Sequence, residues 1–480
     1  MIERQEGFPM KILVLEASTT SAKTMVYDTE TRSHAVRTKL FTPTSEDLTL
    51  QDADAVFAEL MALGRKACRG VDIDLIALSG TFHNLLLCDE EMHPKSPVYL
   101  WSNTEAADLC RRLRLDKDYV EAYNQKTGCM VNASYPYFKL RYLKEKGYDL
   151  GRYRIAGQGS YTMFRLTGEW VIMDSLASGT GLMDIRERAY DRGLLADIGI
   201  DVAQLPRIVE FRETFPLSAD GAGILGLTEG IPVIATGPDG ALNQVGSGAL
   251  KNGVMTFSVG TSGALRLGAR KPVLPETPST WCYLAPKGWL IGAATSGASN
   301  CVDWYKDRMF PEGTTYETVE SGFGAIFDAP IFLPFLFGER CPGWEDDRNA
   351  AFMEIRPHHT THDFYRGILE GVLFNLLQCY EILVDLNGVP DRIRLSGGIV
   401  HSTFWTQMCA DIFGRDIEID DVSHSSLMGG AVLGMALLGV IDDIDDFETA
   451  TVRVVHPDPE MAGIYEERYL RYKYWYGQAR

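Results

Sequence analysis

Positive charge is in short supply: 46 Lys and Arg face 65 Asp and Glu, giving a formal net charge of −19 over 480 residues. Without a broad positive field the chain is not expected to bind nucleic acid or an anionic membrane surface. A small anionic ligand stays allowed, because backbone N–H groups and a bound metal hold phosphate locally. No run of 18 apolar residues occurs, so no membrane-spanning helix is predicted. Residues 1–10 carry no apolar core of a signal peptide, so a short dispensable extension before Met10 and a cytoplasmic location are expected. The nine cysteines form an odd set with no Cys-x-x-Cys pair. They read as buried, reduced thiols. No low-complexity segment or block of like charge calls for a separate tail.

What is there is an ordinary globular composition, 45% hydrophobic and 23% charged. The length exceeds one ordinary core, and two large domains are expected. The apolar run Lys11 to Leu15, the small-residue stretch Glu16-Ala-Ser-Thr-Thr-Ser-Ala22 and Lys23 to Asp28 read as a hairpin with a hydroxyl-rich tip. Gly253 to Val259, Gly260-Thr-Ser-Gly-Ala264 and Leu265 to Gly268 repeat the device. Ser18-Thr19-Thr20 aligns with Gly260-Thr261-Ser262 at an offset of 242 residues, about half the chain. Such an offset suggests two halves that each open with the same hairpin. Strands alternate with helical patterns in both, the longest at Phe364 to Val384, which predicts an α/β fold of mixed sheets covered by helices. A hinge is expected at Gly246 to Gly253, which divides the chain into units 10–247 and 248–480.

The two tips offer small side chains, hydroxyls and accessible N–H groups, which suit phosphate oxygens; each alone also reads as a plain turn. Ile234-Ala-Thr-Gly-Pro-Asp-Gly240 places Asp239 just past a strand's carboxyl end, where α/β sheets bind ligands. Taken alone, an Asp after Gly-Pro reads first as a turn residue. The helix that starts behind it would help keep the carboxylate ionised. Ser396-Gly-Gly398 could let a flat nucleoside lie on the backbone, or serve tight packing. His83 is either a ligand-facing group or a satisfied core histidine.

These residues resemble the FGGY carbohydrate kinases over about Ile12 to Ala436. The resemblance is carried by Gly260-Thr-Ser-Gly-Ala264, Phe332-Leu-Pro-Phe-Leu-Phe-Gly-Glu-Arg340 with Pro342 and Trp344, Glu370-Gly-Val372 and Ser396-Gly-Gly398. It implies two actin-like (ribonuclease H-like) ATPase domains flanking a cleft, with ATP and Mg²⁺, and transfer of the γ-phosphate to a hydroxyl of a sugar or sugar acid. By position, Asp239 matches the catalytic base. Thr19, Thr20, Ser21, Lys23, Gly260 and Thr261 match the phosphate-binding hairpins, and Gly297, Gly397, Gly398 and Ser402 the part holding the nucleoside. Phe82, His83, Asn103 and Gly240 join Asp239 on the substrate side, and Glu16 stands at the metal-side carboxylate. Unit 10–247 would then bind sugar and phosphate, unit 248–480 nucleotide, and a homodimer is compatible with this.

The chain also departs from the family pattern. Asp-x-Gly-Thr-Thr-Ser becomes Glu16-Ala-Ser-Thr-Thr-Ser21, the Gln of the substrate segment is Thr81, and Trp-x-Asp-x-Arg reads Trp101-Ser-Asn-Thr-Glu105. The runs Thr127 to Leu140, Gly260 to Arg266 and Cys282-Tyr283 resemble gluconate kinases most and xylulose kinases next. Glu105 in place of Arg argues the other way, for a neutral ketose or deoxy sugar. The changed positions also keep a second reading open, a catalytically quiet sugar-binding protein on the same fold.

Overall fold

Leu13, Val14 and Leu15 have no polar alternation and are fully buried, because the strand that carries them is covered on both faces. This strand, β1 (Lys11–Ala17), lies at the centre of a six-stranded sheet. Its companions are β2 (Ser21–Asp28), β3 (His34–Leu40), β4 (Leu75–Gly80), β5 (Thr214–Pro216) and β6 (Pro232–Pro238). A second sheet contains β7 (Val254–Val259), β8 (Gly263–Ala269), β9 (Trp281–Leu284), β10 (Trp289–Thr295), β11 (Arg392–Ser396), β12 (Ile417–Asp420) and β13 (Thr451–Val455). The computed structural model describes residues 10–251, 253–323, 328–420 and 424–478. The extension expected before Met10 lies outside the described residues, as does position 252 within the expected hinge.

The first sheet has the order β5-β6-β4-β1-β2-β3 and the second β9-β10-β8-β7-β11-β12-β13. β1 pairs antiparallel with β2 and parallel with β4; β7 pairs antiparallel with β8 and parallel with β11. Outward from there, β6 continues parallel to β4 and β5 turns back, as β12 and β13 do beside β11. The 242-residue offset therefore marks a repeated sheet topology as well as a repeated tip.

Helices complete the layers. α1 (Ala53–Ala67) starts on the Asp52 carboxylate, which accepts from Ala55 N at 2.8 Å, and packs on β1 and β2. α2 (Asp239–Gly246) follows β6 directly, and α3 (Ser299–Met309) follows β10. α4 (Thr361–Asn387), opened by a Thr360–Asp363 capping box, is the one helix among the described residues long and apolar enough to cross a membrane. Its most apolar window is 72% buried, against the second sheet and its neighbours, so it is a core helix. α5 (Thr403–Phe413) follows the Ser396-Gly-Gly398 turn and is capped by Ser402. α6 (Ser425–Leu437) belongs to the second half by sequence but lies on the first sheet. Its Gly430 and Gly434 sit over Val14, Ile12 and Leu75, and a Cβ on Gly429 would collide with the Leu242 carbonyl of α2. The small-residue face Gly429-Gly430…Gly434 thus interlocks the two halves behind the cleft. All nine cysteines are buried and free.

Candidate active site

The carboxylates come from strand ends of the first sheet. Glu16 on β1 is opposite Lys23 on β2 and Ser79 on β4, so register alone brings its partners to it. Lys23 Nζ donates to Glu16 Oε1 at 2.9 Å and Ser79 Oγ to Oε2 at 2.9 Å, which satisfies a side chain that is 1% exposed. Asp239 is the first residue of α2, and its Oδ1 accepts from Gly240 N at 2.7 Å. It is half-buried at the cleft floor. Burial, and next the charge of Glu16, push its carboxyl up to about 6, while the Gly240 N–H, Arg266 and Lys23 pull it back. Asp239 is therefore ionised at neutral pH yet far more basic than an ordinary carboxylate, the state a proton acceptor needs.

The acceptor wall follows β4. His83 is left-handed, with φ 59°, and its ring nitrogen Nδ1 donates to the Gly179 carbonyl at 2.6 Å. Burial pulls its pKa down to about 3, so the imidazole is neutral and Nε2 is an acceptor. Phe82 stacks on His83, and Tyr283 of β9 closes on both rings, with centroids 5.3 and 5.5 Å away. The Tyr135 and Tyr283 hydroxyls meet at 2.7 Å across the two halves. On the same side a cavity of about 530 Å³ is lined by Trp101, Asn132, Ser134, Thr261, Asn300 and Arg340. Asp346 from the second half clasps this cavity shut at one end, accepting from Arg114 Nη2 at 2.7 Å and Asn132 Nδ2 at 3.1 Å.

Asn103 stands apart from that lining. Its side-chain Nδ2 donates to Thr49 Oγ1 at 3.1 Å and its Oδ1 accepts from Glu105 N at 3.4 Å, while its main-chain carbonyl accepts from Lys139 Nζ at 3.0 Å. Lys139 is buried, also donates to the Ala133 carbonyl, and is pulled down by burial to about 7. It pins two walls of the cavity together. Glu105 is exposed and outside the lining.

The two tips join β1 to β2 and β7 to β8. In the first, Ser18 Oγ and Ser21 Oγ lie 2.9 Å apart, Gln51 Nε2 donates to the Thr19 carbonyl at 2.7 Å, and Trp101 Nε1 donates to Thr19 Oγ1 at 3.1 Å; Thr20 is exposed. In the second, the Gly260 carbonyl accepts from Ser299 N at 2.8 Å, tying the turn to α3. Thr261 and Ser262 are exposed there. A cavity of about 780 Å³ begins at Gly260 and Thr261 and continues past Tyr316, Glu320, Gly398 and Ser402. Thr261 lines both cavities. Gly397 has φ 93°, and a Cβ on it would collide with the Val259 carbonyl, so only glycine fits at this crossing. Ser402 caps α5 and donates to Glu320 at 2.8 Å; burial raises the Glu320 carboxyl. Gly297 does not line the cavity: it packs on the Pro334 carbonyl, where a side chain would collide.

The residues missed in the sequence are Tyr135, Tyr283, Glu320, Arg266 and Arg340. Arg266 carried a usable signal, as the one charged residue in the otherwise apolar and small strand β8.

Two family models match. That of the N-terminal domain of the FGGY family of carbohydrate kinases covers residues 11–246, and that of the C-terminal domain covers residues 255–438. The chain is 27% identical over 391 residues to the gluconokinase of Bacillus subtilis, spanning 78% of this chain and 76% of the relative. It is 29% identical over 367 residues to the xylulose kinase of Streptomyces coelicolor, spanning 76% and 74%. The solved gluconate kinase of Lactobacillus acidophilus superposes with a TM-score of 0.93 at 24% identity, covering 98% of each chain. With both domain models matched over nearly its whole length, the chain belongs to the FGGY family of carbohydrate kinases and is a phosphotransferase.

Proposed function

We infer that this enzyme transfers the γ-phosphoryl group of ATP to a hydroxyl of a sugar or sugar acid, with gluconate favoured, and that Asp239 is the general base. The observation that carries this reading is the position of Thr261. It lines a nucleoside-sized cavity on one side and a smaller cavity on the other, so the two spaces meet at this tip. The doubled sheet topology supports two actin-like, ribonuclease H-like units, 10–247 for acceptor and phosphate and 248–480 for nucleotide.

In the reaction, His83 and the aromatic wall orient the acceptor, and its hydroxyl oxygen attacks the γ-phosphorus while the hydroxyl proton passes to Asp239. The bond from the γ-phosphorus to its bridging oxygen breaks, and ADP leaves with the electron pair. Lys23, Thr19, Thr20, Ser21, Gly260 and Thr261 receive phosphate oxygens; Gly397, Gly398 and Ser402 support the nucleoside. The residues present fit Mg²⁺: Glu16 and Asp239 are hard oxygen donors whose mutual repulsion a divalent cation would relieve. Glu16, held in place by Lys23 and Ser79, would with Asp239 supply the negative charge that holds such an ion. When bound, the ion screens charge on the transferring phosphates.

Acceptor-dependent ADP release with Mg²⁺, over a panel of C5 and C6 sugars, polyols and sugar acids read by product mass, tests the reading. A phosphorylated product is expected. Sugar binding without turnover for every member would instead favour the quiet binding protein.

A further inference from the structure

Two guanidinium groups at the acceptor cleft are left over by the chemistry above. Arg266 emerges from β8 toward the catalytic helix: a Cβ on Gly240 would lie 3.6 Å from its Nε. Its one protein hydrogen bond here is long, Nη1 to Ser258 Oγ at 3.4 Å. Arg340 lines the 530 Å³ cavity with its guanidinium 5.8 Å above the Trp344 ring. Among the described residues no carboxylate lies at ion-pair distance from either. Both side chains are partly exposed to the cleft, whereas the buried Arg468 is paired with Glu370. Lys23, by contrast, has a carboxylate partner in Glu16 at 2.9 Å.

The two arginines belong to one locus. Arg266 feels both Asp239 and Arg340, and burial with the neighbouring cation pulls it below its usual value. The Arg340 charge also acts on His83, Tyr135 and Tyr283 of the aromatic wall. Glu105, whose charge spoke against an acidic acceptor, is exposed and outside the cavity.

We propose that Arg266 and Arg340 form a carboxylate-recognising subsite, so that the acceptor is a polyhydroxy acid held by its carboxylate with a hydroxyl presented to Asp239. The inference rests on the kinase reading and specifies its substrate class. Guanidinium forks match carboxylates in geometry and charge, and a neutral sugar in the same place would leave both cations uncompensated. Specificity for the acid then comes from what the neutral analogue leaves unpaired.

The test compares D-gluconate with D-glucitol and D-xylulose as acceptors for the wild type, Arg266→Leu, Arg266→Lys and Arg340→Gln, with ADP affinity measured in each variant as a check of folding. The wild type is expected to favour gluconate. Arg266→Leu is expected to reduce the gluconate-to-xylulose ratio of kcat/KM by about 30-fold or more, chiefly through KM for gluconate, and Arg266→Lys to recover part of it. Equal loss of kcat on acid and neutral acceptors, with KM unchanged, would make Arg266 a phosphoryl-transfer group and overturn the proposal. A wild type that phosphorylates xylulose but no acid overturns it too while leaving the kinase reading intact. No product from any acceptor would instead count against the kinase reading.

Discussion

The two halves share a sheet topology and differ in what each places at equivalent points. At the hairpin, the first half sets Glu16 opposite Lys23, whereas the second sets Ser258 opposite Ala264. Past the central parallel strand, the first half runs into Phe82 and His83, the second into Gly397 and Gly398. The first half therefore sets paired side chains at these points and the second small residues and backbone, while Tyr283, Arg266 and Arg340 of the second half reach across to the first. The tips divide in the same way: the first is laced by Ser21, Gln51 and Trp101, and the second is tied through its backbone to α3. A duplicated scaffold acquires two functions by changing a few residues at strand ends, because the strands themselves are committed to the core.

Each half can be broken separately. Asp239→Asn is expected to lower transfer by about 10²- to 10⁴-fold while leaving ADP affinity nearly unchanged, checked by steady-state kinetics and calorimetry. The same variant carries a stability signature. The folded pKa of Asp239 stands above the ordinary carboxylate value, so ionisation costs stability as pH rises from about 4 through 6. Asp239→Asn should then melt higher than the wild type at pH 8, and the gain should vanish by pH 4.

Gly397→Ala strikes the other half. With φ 93° and a collision against Val259, strain of about 1–3 kcal/mol is expected, read as at least tenfold weaker nucleotide binding with acceptor KM little changed. Glu16→Gln removes a repulsive charge from Asp239, and the acid limb of the kcat/KM profile, expected near pH 6 in the wild type, should move lower. Trp101→Phe removes one hydrogen bond to Thr19, about 1 kcal/mol, and a roughly fivefold loss in kcat/KM is the smallest of these effects.

Much of this was legible in the sequence, for a physical reason. Hydroxyl and glycine tips, β1's unbroken apolar run and the Gly-Pro-Asp turn are local signals, and local chemistry fixes them. Asp239 alone reads as a turn residue, and burial at the sheet end with the charge of Glu16 raises its carboxyl toward the range a proposed base needs. Arg266, Arg340, Tyr135 and Tyr283 were not ranked because their meaning lies in contacts across distant segments. Asn103 shows the converse: its position in a motif suggests a ligand contact, whereas its side-chain amide is held by Thr49 Oγ1 and Glu105 N. The same fold turns Glu105 outward, removing an objection to an acidic acceptor that sequence alone could not weigh.

The most direct test of this division of labour is a structure of the enzyme with ADP, Mg²⁺ and D-gluconate bound. The account predicts the nucleoside against Gly398, Ser402 and Glu320, and an acceptor hydroxyl about 3 Å from Asp239. A nucleoside seated on the first half, or an acceptor whose hydroxyls all lie beyond reach of Asp239, would contradict it.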